Sequence, residues 1–325
     1  MSESIREAVA EDLGTTPPRK KAKTMKKRRF SETLFVYCAI ALPLLQFLIF
    51  YVAVNINSIF LAFQSYDYGL GRYQFLGFDN FSEFFSDIIH EPVLLISIRN
   101  SAILYACTLF IAMPLGVCFS FFVYKKIPLS GFFKIILFMP SIISSIVTVL
   151  MYKYFLEWAI PSVLAMCGVE AVPNFFYDSA YSFGTLIFYG LWIGFGGGII
   201  LYTGAMARIP DSIIEFGQLE GMSLFQELIH ITLPMIFPTI TVFLVTGVAD
   251  FFTNNAYAYS FYAEEAPYNV YTIGYYLFTK VIGSQASLAD YPYAAAAGIC
   301  FTLVAAPITL LVKYLLEKFG PDPEY

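Results

Sequence analysis

The chain has 325 residues, of which 58% are hydrophobic and only 13% are charged, and its formal net charge is −5 at pH 7. Soluble globular proteins carry roughly 25% charged residues, so this composition excludes an ordinary soluble protein and indicates a membrane protein. The cysteines form no C-x-x-C pair, and His90 and His230 are far apart, so the sequence predicts neither a disulfide framework nor a metal site.

Residues 1–33 are polar and contain a basic block between Arg19 and Arg29. A basic run can bind nucleic acid, but an apolar span follows at once. We therefore expect anchoring beside anionic lipid and no nucleic-acid partner. Basic residues next to a span favour the cytoplasmic side, which predicts a cytoplasmic amino terminus. The span is too long for the apolar region of a cleaved signal peptide, which has ~7–15 residues, so we expect no cleavage.

Six apolar runs reach the length of about 20 residues that a transmembrane helix needs. Peptide groups find no water inside a bilayer, so each run is predicted to be a helix and the fold to be an all-α membrane protein. We expect a multi-pass protein of the cell membrane with both termini in the cytoplasm. The predicted spans are 34–63, 101–124, 132–155, 183–207, 233–249 and 292–312.

Three of the intervening segments are predicted to lie outside. Residues 64–92 are acidic and interrupted by glycines, so they are expected to be largely irregular. Residues 157–181 carry acids and no Lys or Arg. The third segment extends to about Asp290 and is rich in Tyr and Phe. Within it, 271–282 is predicted to be a helix that lies against the membrane or against the outer ends of the bundle.

The sequence contains no Walker A pattern, nucleophile elbow or paired metal-binding motif, so we predict no catalytic residue, no metal ligand and no enzymatic activity. The glycine-rich run 194–198 is not a phosphate cradle, because it lies inside a span with no preceding strand. Close helix packing would explain these glycines. The alternative explanation is that the missing side chains leave room for a solute path.

The segment between the fourth and fifth spans is unusual because it carries Glu215, Glu220 and Glu227 at a membrane face where Lys or Arg would be expected. Two short helices are predicted here, with Gly221 as the hinge between them, because glycine tolerates positive φ. Leu233-Pro234 is expected to end the second short helix and to start the fifth span.

The spacing Glu-x5-Gly-x9-Ile-x-Leu-Pro in this segment resembles the EAA signature of the permease subunits of ABC importers. The segment departs from that signature where Phe and Gly replace two alanines and where Glu replaces the usual Asp. The resemblance implies a type I ABC importer permease with a tail at 1–33, a six-helix domain at 34–319, a cytoplasmic coupling-helix loop at 208–232 and a second tail at 320–325. The residues that it assigns to ATPase coupling are Glu215, Phe216, Gly217, Glu220, Gly221, Ile231, Leu233 and Pro234.

Other segments resemble the carbohydrate-uptake branch, which includes the maltose-type and multiple-sugar permeases. Residues 75–81 are similar to the first-outer-loop motif of sugar-importing permeases, and 100–140 and 192–210 follow the same family. This resemblance implies ATP-driven import of a sugar or oligosaccharide by alternating access.

The same resemblance implies the partners. A cytoplasmic ABC ATPase dimer would bind ATP and Mg²⁺, so no cofactor is expected in this chain. Glu215 would offer a carboxylate to an Arg or Lys of that ATPase. A second, homologous permease is expected as a hetero-dimer partner, and an extracellular solute-binding protein is expected on the outer loops.

A sugar path needs hydrogen-bonding groups and aromatic faces in the middle of the bundle, although polar residues also serve helix packing. A permease for another solute, such as a peptide or an amino acid, would share the Glu215 segment. A secondary transporter would normally carry ionisable residues deep in its spans, which here are nearly bare of them. The candidate pathway residues are Ser144, Tyr189, Trp192, Tyr202, Thr239 and Thr246.

Overall fold

The computed structural model describes residues 21–168, 173–283 and 287–321. The chain divides into two compact units, residues 1–58 and 59–325. The described part of the first unit is helical: α1 (Lys21–Gln46) continues through a π-helical segment, Phe47–Ala53, into α2 (Val54–Leu61), whose last residues belong to the second unit.

The second unit holds the remaining helices and one β-hairpin. Its further helical segments are three π-helical turns (Thr108–Ala112, Phe155–Ala159 and Leu228–Thr232) and one 3₁₀ turn (Tyr268–Val270). The strands and α-helices are β1 (Gln64–Asp67), β2 (Arg72–Phe75), α3 (Asp79–His90), α4 (Pro92–Cys107), α5 (Met113–Tyr124), α6 (Ser130–Ile142), α7 (Ser145–Tyr154), α8 (Ile160–Met166), α9 (Ser182–Met206), α10 (Asp211–Leu219), α11 (Leu224–Glu227), α12 (Leu233–Thr253), α13 (Ala258–Tyr262), α14 (Ile273–Ile282) and α15 (Asp290–Phe319).

Six helical runs in the described part of the chain are long and apolar enough to cross a membrane, which confirms the predicted number. We name them span 1 to span 6 in chain order. Several spans are longer than predicted, because the helix continues into polar residues at its ends and tolerates a proline in its first turn. The spans are Thr33–Leu61, Pro92–Tyr124, Ser145–Met166, Ser182–Met206, Leu224–Thr253 and Asp290–Phe319.

The predicted third span, 132–155, is wrong in its boundaries. The apolar run is split in two, because α6 ends at Ile142 and α7 begins at Ser145 after two residues with ψ values of 144° and 133°. Span 3 then continues to Met166. The segment predicted as an outer loop from residue 157 is therefore helical at its start. Hydropathy alone does not reveal the break, since apolar residues lie on both sides of it.

The first predicted outer segment is ordered rather than largely irregular. Strands β1 and β2 pair antiparallel, with Asp67 opposite Arg72 at the turn. The Asp67 carboxylate accepts hydrogen bonds from two turn amides, and Gly71 adopts a positive φ of 64°. Here the glycines form the tight turn of a hairpin. The number of glycines in a segment does not by itself distinguish such a turn from an irregular loop. Helix α3 follows, and its Asn80 side chain donates to two backbone carbonyls next to β1.

Prolines explain most of the π-helical turns. Pro114, Pro161 and Pro234 each lie two residues after a π-helical turn, at the start of the next α-helical segment. A proline inside a helix lacks an N–H, and its ring clashes with the carbonyl four residues earlier. A turn with one extra residue moves that carbonyl aside, so the helix continues. Spans 2, 3 and 5 are therefore continuous across their prolines.

Two apolar clusters form the core of the second unit. One contains the aromatic residues of α13 and α14 packed against spans 3, 4 and 6, including the buried side chains of Tyr275 and Tyr276. Helix α14 confirms the helix predicted at 271–282, and its buried tyrosines place it against the bundle. The second cluster lies at the other end of span 4 and joins spans 2, 4 and 5 to the segment that carries Glu215.

Candidate functional site

Gly221 forms the hinge predicted between spans 4 and 5. Its φ is +75°, a conformation that side chains other than glycine rarely adopt. The amide of Met222 donates to the Gly217 carbonyl at 3.1 Å, and the amide of Gly221 donates to the Gln218 carbonyl at 3.0 Å. These two bonds are the Schellman motif, which satisfies the last carbonyls of α10. The backbone geometry of this turn thus strongly favours glycine at position 221.

Ser223, two residues after the hinge, starts a new helical turn through a capping box. Ser223 Oγ accepts from the Gln226 amide, and Gln226 Oε1 accepts from the Ser223 amide at 2.9 Å. This reciprocal pair satisfies free amides at a helix start. The expected stop at Leu233-Pro234, however, is wrong. Helix α11 is followed by the π-helical turn 228–232 and then by α12 without interruption.

Gly217 explains one departure from the EAA signature. A Cβ atom at this position would lie 2.8 Å from Ile231 Cδ1 and 3.1 Å from Met222 Sδ. Alanine therefore does not fit unless these side chains move. The structure brings Gly217 and Ile231 together, although they are far apart in the sequence, and packs α10 directly on the start of span 5.

One face of α10 is buried in the chain and the opposite face is not. Ile214 and Gly217 are buried, whereas Phe216 is 65% exposed and Leu219 is 87% exposed. Glu215 and Glu220 are exposed beside them. Large apolar side chains and two acids therefore share one uncovered surface, which we call the α10 face (Glu215, Phe216, Leu219 and Glu220). Such mixed apolar and charged patches are typical of protein contacts.

A cavity of about 460 Å³ lies between spans 2, 4 and 5. It contains six polar or ionisable side chains from these spans and from the segment after span 5; the remaining lining is apolar or glycine. These six residues are Thr108, Tyr202, Thr246, Asp250, Asn254 and Tyr257.

The glycine-rich run in span 4 contributes both to helix packing and to the lining of the cavity. A Cβ at Gly196 would lie 2.6 Å from the Leu137 carbonyl oxygen, so Gly196 permits close contact between span 4 and α6. Gly194 and Gly198 instead line the cavity. A Cβ at Gly194 would meet no atom within 4 Å. One turn of glycines therefore provides a packing contact on one side and open volume on the other.

The predicted pathway residues lie in different places. Tyr202 and Thr246 line the cavity. Tyr189 is fully buried, with its ring 5.0 Å from that of the cavity residue Tyr257. Trp192 is half-exposed and its ring lies 6.2 Å from that of Tyr189.

The other two candidates lie away from the cavity wall. Ser144 is in the break before α7, where its carbonyl accepts from Thr148 Oγ1 at 2.8 Å. Thr239 lines a separate pocket of about 190 Å³ beside Arg208.

Four cavity residues were not selected from the sequence: Thr108, Asp250, Asn254 and Tyr257. Asp250 and Asn254 follow residue 249, where the fifth span was predicted to end, and from the sequence they were expected only to mark its outer, water-facing end. The available signal was an ionisable residue next to the end of an apolar run, which in a membrane protein indicates a functional site. In residues 21–168, 173–283 and 287–321, no group of three or more His, Cys, Asp or Glu side chains is arranged to hold a metal ion.

The chain is similar to several curated permeases. It is 27% identical over 311 residues to the diacetylchitobiose uptake system permease protein NgcF of Streptomyces coelicolor, covering 89% of this chain and 85% of that relative. It is also 27% identical over 229 residues to the galactooligosaccharides transport system permease protein GanP of Bacillus subtilis, covering 67% of this chain and 54% of that relative.

The fold matches a chain in the crystal structure of a bacterial ABC transporter involved in the import of the acidic polysaccharide alginate. The TM-score is 0.74 at 21% identity, covering 90% of this chain and 99% of the other. Residues 108–321 match the family described as "Binding-protein-dependent transport system inner membrane component". This match extends over more than half of the sequence and includes spans 3 to 6, the α10 face and all described residues that line the cavity except Leu104. The chain is a multi-pass membrane protein that belongs to the family of inner membrane components of binding-protein-dependent transport systems.

Proposed function

We propose that this chain is a permease subunit of an ATP-driven ABC importer for a sugar or oligosaccharide. The relatives named above are permeases for oligosaccharides, and one of them matches nearly the whole chain. The cavity between spans 2, 4 and 5 would form part of the translocation path. Its polar side chains supply hydrogen-bonding groups, and Tyr202, Phe243 and Tyr257 supply aromatic surface for sugar rings.

The observation that carries the coupling role is the α10 face. Phe216 and Leu219 are exposed on α10. The helix itself packs on the start of span 5, where Gly217 lies against Ile231. An apolar patch flanked by acids is suited to the cleft of a soluble protein that offers Arg or Lys, and Glu215 would bind such a residue through a charge-assisted contact. That protein would be the ABC ATPase, and residues 208–232 would transmit its movement to the spans.

The partners follow from this arrangement. The ATPase dimer has two clefts and this chain offers one α10 face, so a second, homologous permease, related but distinct, would occupy the other cleft. ATP and Mg²⁺ would bind to the ATPase. Both termini and the α10 face would be cytoplasmic, and a solute-binding protein would deliver the sugar at the opposite end. Closure of the ATPase dimer would draw the two coupling loops together and open the cavity outward.

The test uses the complex that copurifies with the tagged chain from its native membrane, reconstituted into liposomes together with its solute-binding protein. Uptake of labelled maltotriose or diacetylchitobiose should require ATP and should disappear when the Walker lysine of the ATPase is replaced by alanine. Uptake of trialanine or glutamine without any saccharide uptake would assign the importer to another solute. Uptake driven by an ion gradient without ATP would contradict the ABC mechanism.

A further inference from the structure

Where the structure describes the chain, the lining of the cavity contains one acidic side chain and no basic one. Among the described residues that line it, Asp250 is the one that carries a charge at pH 7. No Lys, Arg or His in the described part of the chain forms an ion pair with this carboxylate; its recorded side-chain contact is a hydrogen bond of 3.4 Å donated by Asn254 Nδ2. A solute in the cavity therefore meets a negative charge that the lining of this chain does not balance.

The two threonines of the cavity add to this effect, because their hydroxyl donors are already used. Thr108 Oγ1 donates to the Leu104 carbonyl at 3.0 Å, and Thr246 Oγ1 donates to the Val242 carbonyl at 2.9 Å. Each threonine therefore presents oxygen lone pairs to the cavity. The Asn254 amide nitrogen donates one of its two N–H groups to Asp250, so one donor of this side chain remains for a solute.

Tyr257 lines the same cavity as Asp250. Burial, and after it the Asp250 carboxylate, raises the pKa of the Tyr257 phenol, so this phenol stays protonated at pH 7 and remains a donor. The other phenol in the lining belongs to Tyr202. Phenol groups are therefore the main source of donors for a solute.

We propose that Asp250 and the acceptor-rich wall make this cavity select neutral and amino-bearing oligosaccharides and exclude those that carry carboxylates. Sugar hydroxyl, amide and ammonium groups donate hydrogen bonds to Asp250, Thr108 and Thr246. A uronic acid would place its carboxylate against these oxygens, and like charges at such short range repel each other. This inference rests on the proposed sugar import, and it sets this chain apart from the structurally similar transporter, whose substrate is the acidic polysaccharide alginate.

The test compares three saccharides of equal length on the purified importer complex in detergent, without the solute-binding protein, so that the preference of that protein does not enter. The probes are N,N′,N″-triacetylchitotriose, which is neutral, chitotriose, which carries amines, and trigalacturonate, which is anionic. Binding is measured by saturation-transfer difference NMR at millimolar concentrations. For the unmodified complex we expect both chitotriose forms to bind at least about tenfold more tightly than trigalacturonate.

The variants isolate the charge of Asp250. D250N should reduce the preference for the neutral over the anionic trisaccharide about tenfold and should weaken binding of the amine form. D250E, which keeps the charge, should retain the preference. E265Q removes one charge from an exposed residue that is absent from the cavity lining and should change nothing. Binding of the neutral trisaccharide to D250N also shows that the variant is folded.

Equal binding of trigalacturonate and the neutral trisaccharide to the unmodified complex would overturn the inference. So would an unchanged preference in D250N. If D250N and D250S both fail to bind the neutral trisaccharide while D250E binds it, the carboxylate serves binding of neutral sugars and the exclusion argument is wrong. Failure of all three saccharides to bind the unmodified complex would instead count against the proposed sugar import itself.

Discussion

Lys125, at the end of span 2, forms an ion pair with Glu227, at the start of span 5, and the two side chains are only 13% and 5% exposed. The Lys125 ammonium contacts Glu227 Oε1 and is the partner of this buried oxygen in the described part of the chain. The same ammonium lies 5.8 Å from the Phe121 ring centroid. Because Glu227 lies shortly after the Gly221 hinge, this pair connects the segment that contains α10 and α11 to span 2 as well as to span 5.

Replacing Lys125 by methionine should lower the free energy of unfolding by about 3–5 kcal/mol, because it leaves a buried carboxylate without a counter-charge. K313M breaks an exposed pair, in which Lys313 and Glu317 are 54% and 60% exposed, and should change stability by less than about 1 kcal/mol. Denaturant unfolding in micelles, followed by circular dichroism, measures both. The double variant K125M/E227Q should recover most of the loss; a double variant less stable than K125M would contradict the pairing.

Gly221→Val should uncouple ATP hydrolysis from transport. A β-branched residue does not tolerate the observed φ of +75°, so α10 would turn away from its present direction. Gly221→Asn is the matched control, because asparagine adopts this conformation more readily. In reconstituted complexes we expect saccharide-stimulated ATPase activity to fall at least about tenfold for G221V and to persist for G221N. Normal stimulation in an assembled G221V complex would show that the hinge geometry is not needed.

Gly196→Ala should destabilise the bundle, because its methyl group would lie 2.6 Å from the Leu137 carbonyl oxygen and would force α6 away from span 4. Overpacking of this kind costs about 1–3 kcal/mol. A methyl group at the adjacent Gly197 would meet no atom within 4 Å, so G197A should be as stable as the unmodified protein. Thermal unfolding of the two variants provides the comparison, and equal melting temperatures would mean that the close contact at Gly196 is not formed.

Gly194→Leu should block transport without loss of stability. Gly194 lines the cavity and has no neighbouring atom within 4 Å of its missing Cβ, so a leucine would extend into the open volume. Gly197→Leu adds the same side chain on an exposed side of span 4 that does not line the cavity. Saccharide uptake should fall at least tenfold for G194L only. Full uptake by a folded G194L variant would place the path elsewhere.

Much of the fold is predictable because its signals are local. Apolar length gave the six spans, and the hinge at Gly221 follows from glycine's tolerance of positive φ. The break at residues 143 and 144 has no such signal. Continuation through Pro234 was also missed, since a proline predicts a helix end unless the preceding turn widens. The turn is wide when its amides bond to the carbonyl five residues earlier instead of four. The hydropathy of an apolar run does not indicate which of these two bonds forms.

The cavity was less predictable, because its lining is set by how the spans pack against each other. Thr239 and Thr246 are seven residues apart in span 5 and lie on the same side of the helix, yet only Thr246 lines the large cavity. The two threonines differ in their position along the axis of span 5, and this position determines which of them reaches the cavity. Asp250 was assigned to the water-facing end of span 5, and its entry into the cavity depends on the positions of spans 2 and 4.

The widened turns before Pro114 and Pro234 have a mechanical consequence. The first lies at residues 108–112, whose ends Thr108 and Ala112 border the cavity, and the second lies at 228–232, next to Glu227. Each of these turns holds one residue more than a regular α-helical turn, and the backbone hydrogen bonds continue on both sides of it. Helices bend at wide turns of this kind. We therefore expect span 2 to bend beside the cavity and span 5 to bend beside the Lys125–Glu227 pair, with both helices remaining continuous.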